Sequence, residues 1–381
     1  FTYRDTTSSQ VDKLPPNSYV GSKTTFKIGL GWIYDFTTYQ QDATFKKQMD
    51  TAGFDLGPTF KTRDFSILGS GVIKSKRYLA FKFAYMYDGD AKKWLVRESG
   101  LTIGVPELWG NICIGRTKEG FRMIKVMNGH SGMTNERQMA LDVIPIMADG
   151  IKWMGALPKS RIFWNLGYFN DLTSKGQGFS TFQWQYVARV GWLAFNNTKE
   201  KTLLHIAGNF QYSKPLDGKM TMKSIPESNP TPQILNTGSF ATDKSTHIGG
   251  EIYYKRGPLM IGSELVTHNF HADKSASHQF TGGDVILSYF FGGNDRPYTT
   301  TGSIFQFVPV RKSVFKGGLG EFEAVVRFSK FSLDDKEIRG GSFWRLTPMI
   351  NWYLAKQVRM EFIYGYGKFD RYGMQGKVQF F

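Results

Sequence analysis

Cysteine is almost absent. Cys113 stands alone among 381 residues, which excludes an intramolecular disulfide and any cysteine cluster for metal. Long apolar runs are missing too. No uncharged stretch approaches the roughly 18 residues that a membrane-crossing helix needs, and strong amphipathic helical patterns are scarce. The chain starts at Phe1 with no Met and no charged-then-apolar leader, as expected where a signal peptide has been removed or the ends trimmed. Acidic residues are outnumbered, 32 against 48 Lys and Arg, for a net charge of +16. An excess of that size points to an anionic partner: nucleic acid, anionic lipid or a small anionic solute.

Catalytic and metal-binding patterns are missing as well. "GHSGM" (129–133) lacks the G-x-S-x-G spacing and the strand-to-helix context of a nucleophile elbow. "GGLGE" (317–321) lacks the Lys-Ser/Thr end of a phosphate loop. "SLDDKE" lacks the glycine and terminal glutamate of a calcium loop. His268, His271 and His278 are close in sequence. On a strand, however, His268 and His271 point to opposite faces, which makes joint ligation awkward. The expectation is a protein that is not an enzyme and that holds neither cofactor nor metal.

What is there is alternation. In "RYLAFKFAYMYD" (77–88), Leu79, Phe81, Phe83, Tyr85 and Tyr87 fall on one face. Near the end, Met360, Phe362, Tyr364 and Tyr366 face one way and Arg359, Glu361, Ile363 and Gly365 the other. Similar runs of about ten residues recur along the chain, bounded by Gly, Asn, Asp, Pro or Ser, which is the length of a tilted membrane-spanning strand. Tight joints (196–201, 255–258) alternate with long polar ones (214–246). Short turns at one rim and long loops at the other are the pattern of an outer-membrane barrel. Aromatic residues make up 15%. On the outward face they suit lipid and its interfacial girdles better than water. Nucleic-acid binding would explain the charge but not this wall. The chain is therefore read as all-β, a transmembrane antiparallel β-barrel spanning 1–381 with no linker or repeat. Its terminal strand, "RYGMQGKVQFF" (371–381), needs a partner because a barrel leaves no edge free, and "TTFKIGLGWIYDF" (24–36) is the natural one.

Several stretches resemble the phosphate-selective porin O/P family of Gram-negative outer membranes. They are "GRTKEGFRMIKVMNGHSGMTNERQMALDVI" (115–144), "LSYFFGGNDRPYTTTGSIFQFVPV" (287–310), "GEFEAVVRFSKFSLDD" (320–335) and "GSFWRLTPMINWYL" (341–354), occurring in the family's order. The resemblance implies a barrel of about sixteen strands in the outer membrane, with an inward-folded third loop, contact with lipid and lipopolysaccharide, and a homotrimeric state. It divides the chain into an N-terminal segment (1–22), a constriction-loop region (116–150) and a long polar loop (214–246).

The loop region holds Arg116, Lys118, Arg122, Lys125 and Arg137 against Glu119, Glu136 and Asp142. Fixed cations in a narrow, partly desolvated passage lower the barrier to an anion far more than in bulk water. Arg offers a planar fork to phosphate-like oxygens and Lys a mobile point charge. By resemblance, Lys125 matches the family's loop lysine, Glu136 and Arg137 its Glu-Arg pair, and Thr62 with Arg63 its paired arginines, one of them lost. Another family arginine falls at Gly31, and a family acidic position falls near Arg97. The expected anion path is thus Lys125, Arg137, Arg63, Arg116, Arg97, Lys118 and Arg122. Basic stretches such as "KEIRGG" and "VPVRKSVFKGG" are read as rim charge. The function expected is passive passage of anions such as phosphate. The alternative is a porin-like barrel serving as a structural or assembly subunit of a larger envelope complex.

Overall fold

The computed structural model describes residues 17–89, 92–127, 129–173 and 182–381; most of the expected N-terminal segment (1–16) lies outside them. Strands dominate and pair antiparallel in chain order. They run Thr24–Thr37, Thr59–Ile73, Leu79–Asp88, Lys93–Val105, Gly110–Lys118, Met147–Leu157, Ile162–Asn170, Phe182–Asn197 and Thr202–Pro215. They continue as Lys244–Arg256, Leu259–His271, His278–Phe290, Glu321–Asp335 and Ile338–Ala355. Val358–Ile363 and Gly365–Arg371 both pair with Ile338–Ala355, and Met374–Phe380 follows.

The terminal strand finds its partner slightly beyond the expected stretch. Phe380 pairs with Tyr39 and Val378 with Gln41, on the short strand Tyr39–Gln41, while Thr38 and Phe381 exchange two backbone hydrogen bonds of 3.0 Å. The stretch 24–36 is occupied instead by Thr59–Ile73 and by Ser18–Val20. Thr24–Thr37 and Tyr39–Gln41 follow each other with a break at Thr38, and Ser18–Val20 already lies along Thr25, Phe26 and Lys27, so the terminal strand pairs at the other end.

The wall has an inverted polarity. Along Leu259–His271, the exposed positions include Ile261 and Leu265, while Glu264 and His268 are buried. On Glu321–Asp335, Val326 and Phe328 are exposed while Glu323, Arg327 and Ser329 are buried. Water outside and oil inside would give the opposite arrangement. Apolar-out, polar-in strands are the arrangement for lipid. No helix among the described residues is long and apolar enough to cross a membrane, so any crossing is by strands.

Three segments fold into the lumen. The first, 119–146, forms the short helix Met123–Val126 and a 3₁₀ turn at Met139–Leu141. The second lies in the expected long polar loop. It forms a hairpin, Lys219–Ser224 against Leu235–Ala241, with Glu227, Ser228 and Thr231 buried within the lumen instead of at the rim. The third, 291–320, enters from the rim of tight turns and carries the small hairpin Tyr298–Thr299 and Ile304–Phe305. An interior apolar cluster joins Phe121 and Leu141 of the first segment and Met222 and Leu235 of the second to Phe331, Phe343 and Phe369 of the wall. Phe45 and Met49 of the helix Ala43–Thr51 complete it. Each such fully buried side chain contributes about 1.5–3 kcal/mol.

Candidate functional site

Two irregularities in the wall create the site. Ile33 pairs with Asp64 and Tyr34 with Thr62, so Arg63 is the extra residue of a β-bulge. Ala84 pairs with Glu98 and Tyr85 with Val96, so Arg97 is the extra residue of another. A bulge breaks the strict in-out alternation and re-aims a side chain. Both arginines line one cavity of about 270 Å³, into which Arg137 projects from the first lumenal segment. The Arg63 guanidinium donates to the Asn135 carbonyl at 2.7 Å and forms an ion pair with Glu136. Arg97 Nη1 donates to Met86 Sδ at 3.6 Å. Arg137 Nε has no hydrogen-bond partner among the described residues.

The electrostatics favour positive charge. Burial pulls the Arg137 guanidinium down to about 10, with Arg63 and Arg97 adding repulsion, yet it stays charged at neutral pH. Asp142, the acid at the cavity edge, is pushed up to about 8 by enclosure and by Glu136 and Glu227, against the hydrogen bonds it accepts from Ser224 Oγ (2.7 Å) and Ile225 N (3.2 Å). Its carboxyl is therefore largely uncharged at neutral pH.

The other expected cations are elsewhere. Arg122 is completely buried against the far wall: Nε meets Glu264 Oε2 at 2.9 Å and Nη1 donates to the Leu265 carbonyl at 2.6 Å. Lys125 is buried in an ion pair with Glu119 (2.7 Å) and donates to the carbonyls of Ile144 and Pro145 at 3.0 and 2.7 Å. Burial lowers its ammonium to about 8. Both residues tie the loop to its surroundings, and neither is among the residues that line this cavity. A short helical turn needs charged anchors because its own backbone leaves donors unsatisfied. The amides of Met123 and Ile124 accordingly donate to Glu251 (3.1 Å) and Glu264 (3.2 Å). Arg116 is buried in the wall beside Asp149 at 3.6 Å. Lys118 donates to the carbonyls of Val126 (3.0 Å) and Met127, within electrostatic reach of Arg97, Arg137 and Lys82.

Residues passed over in the sequence complete the interior. Lys82 shares its face with Ala84 and Met86, so the alternation of 77–88 does place it inward. The late strands carry buried ion pairs: Arg189 with Glu251 (2.7 Å) and Arg327 with Glu227 (2.8 Å). Arg296 of the third segment joins Glu323 at 2.9 Å. Each of these arginines meets a carboxylate, and the cavity by the early strands brings Arg63, Arg97 and Arg137 to one space with Glu136 and Asp142. His268 meets His247, Nδ1 to Nδ1 at 2.7 Å, while His271 points to the exposed face.

The family model described as phosphate-selective porin O and P matches residues 196–378. The search of curated proteins found no match. Among solved structures, the anion-selective porin from Comamonas acidovorans is 12% identical, covering 94% of this chain and 98% of that one, with a TM-score of 0.56. A trimer form of in-vitro folded OmpT from Vibrio cholerae is 12% identical over 94% and 99%, with a TM-score of 0.51. The outer membrane channel DcaP of Acinetobacter baumannii is 8% identical over 93% and 97%, TM-score 0.51. At these identities the structures speak for the fold alone, an outer-membrane porin barrel.

Proposed function

We propose that this chain, a relative of the phosphate-selective porins O and P over residues 196–378, is an outer-membrane channel that passes small anions along its early strands. The observation that carries the proposal is the convergence of Arg63, Arg97 and Arg137 on one cavity, where they outnumber the acids Glu136 and Asp142. The passage is off-centre, between the first lumenal segment and the strands from Thr24 to Val105. Phosphate-like solutes fit its charge, and the family match and the selectivity of the Comamonas porin support the same direction. The pairing of Phe380 with Tyr39 supports a closed wall. Counting the strands interrupted at Thr38 and Tyr364 as single staves brings the total to about sixteen, within the range of such barrels. The whole chain is then one barrel unit. A homotrimer is consistent with the trimer form of the Vibrio OmpT, and the exposed apolar wall fits contact with lipid and lipopolysaccharide.

The test is the reversal potential of purified protein in planar bilayers under a KCl gradient. An anion-preferring channel that loses its preference in Arg97→Ser with Arg137→Ser supports the proposal. Unchanged preference in that double variant removes it.

A second reading has its own observation. The lumen is entered by three segments and holds a continuous apolar cluster, as a barrel acting as an assembly subunit would. Bilayers that stay silent with folded protein favour that role.

A further inference from the structure

The cavity's lining is of two kinds. Arg63, Arg97 and Arg137 supply charge, and Ile33, Met86, Ile124, Met127, Met133 and Ile146 supply apolar surface, beside Glu136, Asp142, Thr134 and Asn135. An inorganic anion gains from the arginines. Against the apolar residues it loses hydration, because apolar surface cannot replace its hydrogen bonds. A carboxylate on an apolar body satisfies both. The guanidinium fork takes two carboxylate oxygens side by side, and the apolar body leaves water as it meets the isoleucines and methionines. Three of the six apolar residues are methionines. Thioethers are flexible and polarisable and make favourable contacts with aromatic rings. Met86 touches the cationic part of the lining directly, since its sulfur accepts from Arg97 Nη1 at 3.6 Å. A volume of about 270 Å³ corresponds to about nine waters at roughly 30 Å³ each, which is room for a single ring bearing one carboxylate.

We infer that this cavity is a binding station for small monocarboxylates with an apolar body, arylcarboxylates above all, in preference to inorganic phosphate. The inference rests on the anion-path reading and narrows its solute class. The carboxylate lies among Arg97, Arg137 and Arg63, where Glu136 offsets one of the three guanidinium charges. The ring lies against Met86, Met127 and Met133. Asp142, uncharged at neutral pH, adds no repulsion at the cavity edge.

The experiment uses the full chain in nanodiscs at pH 7, with equilibrium dialysis of benzoate, inorganic phosphate and benzamide, and empty nanodiscs as the blank. Benzoate is expected to bind at least tenfold more tightly than either other probe. Met86→Gln with Met127→Gln is expected to weaken benzoate about tenfold and leave phosphate unchanged, whereas Arg97→Gln weakens both anions. Retention of folded electrophoretic mobility checks each variant, and Met86→Gln alone serves should the pair not fold. Phosphate binding as tightly as benzoate overturns the inference. So does benzamide matching benzoate, or a methionine variant that weakens both anions equally. The same preparation in a KCl gradient reports on the underlying reading. Anion preference without benzoate preference defeats the solute class alone, and loss of both defeats the channel reading with it.

Discussion

Replacing Arg122 by alanine tests whether the first lumenal segment is held by charge. The side chain is fully buried, and Arg122→Ala removes the 2.9 Å contact to Glu264 and the hydrogen bonds to the carbonyls of Leu265 (2.6 Å) and Gly250 (3.2 Å). Glu264 is then left as a buried anion. Breaking one partner of a buried pair costs about 3–5 kcal/mol. Glu264 still accepts from the Tyr253 hydroxyl at 2.7 Å and the Ile124 amide at 3.2 Å, so the lower end applies, about 3 kcal/mol. At about 1.4 kcal/mol per decade, the docking equilibrium of residues 120–127 shifts roughly 100-fold toward release. Other anchors remain: Arg327 on the Glu136 carbonyl (2.7 Å), Arg296 on Ser131 (2.8 Å) and Asn351 on Met133 (2.9 Å). The loss is therefore local, and the barrel keeps its folded electrophoretic mobility. Hydrogen exchange read by mass spectrometry should show protection at the Met123 and Ile124 amides falling roughly 100-fold, with Thr202–Pro215 unchanged. Combining Arg122→Met with Glu264→Gln removes the stranded charge and should restore most of the protection. Unchanged exchange at those two amides in Arg122→Ala refutes the reasoning.

Arg137→Glu should bring the bilayer reversal potential close to zero, because it lowers the cavity's charge by two and cancels the excess of Arg63, Arg97 and Arg137 over Glu136. Lys125→Glu should leave selectivity in place and instead destabilise the loop by about 3–5 kcal/mol, since it sets two carboxylates together in the interior; urea unfolding in detergent reads the loss. Anion preference should fall as pH rises from 7 to 9. Asp142, with a pKa raised to about 8, is neutral below that value and becomes a cavity anion above it. Asp142→Asn should flatten the profile, and an unchanged slope would exonerate this group. Replacing the hairpin 298–305 with a short Gly-Ser turn should raise conductance, because it empties the lumen at the rim of tight turns. Equal conductance would show that the current does not pass there.

The wall was readable because lipid imposes a period of two on every stave. The outward aromatics of 77–88 and 358–366 reappear as exposed side chains, among them Phe83, Tyr85 and Phe362. The site was readable only in part. Charge counts mark cations but not their partners, and the glutamate that holds Arg122 stands 142 residues away. The sequence therefore shows Lys125 and Arg122 as loop cations without showing the glutamates that meet them. Arg63 and Arg97 reach one cavity through bulges, and which residue a bulge sets aside is fixed by the register of two paired strands, which one strand's alternation does not give. The inward course of 216–243 and 291–320 was hidden for a related reason. Both contain turn-forming and polar residues that a rim loop would also use, and what draws them in is apolar and ionic surface contributed by distant strands.

The ties between the first lumenal segment and residues near 264, 327 and 351 set a schedule for biogenesis. The segment 119–146 has no seat until strands more than a hundred residues downstream are in place, and the two hydrogen bonds joining Phe381 to Thr38 span nearly the whole described chain. Such distant contacts are slow to form. A chain truncated before residue 321 would lack not only its last strands but the Arg327 and Asn351 side chains that hold the carbonyls of Glu136 and Met133.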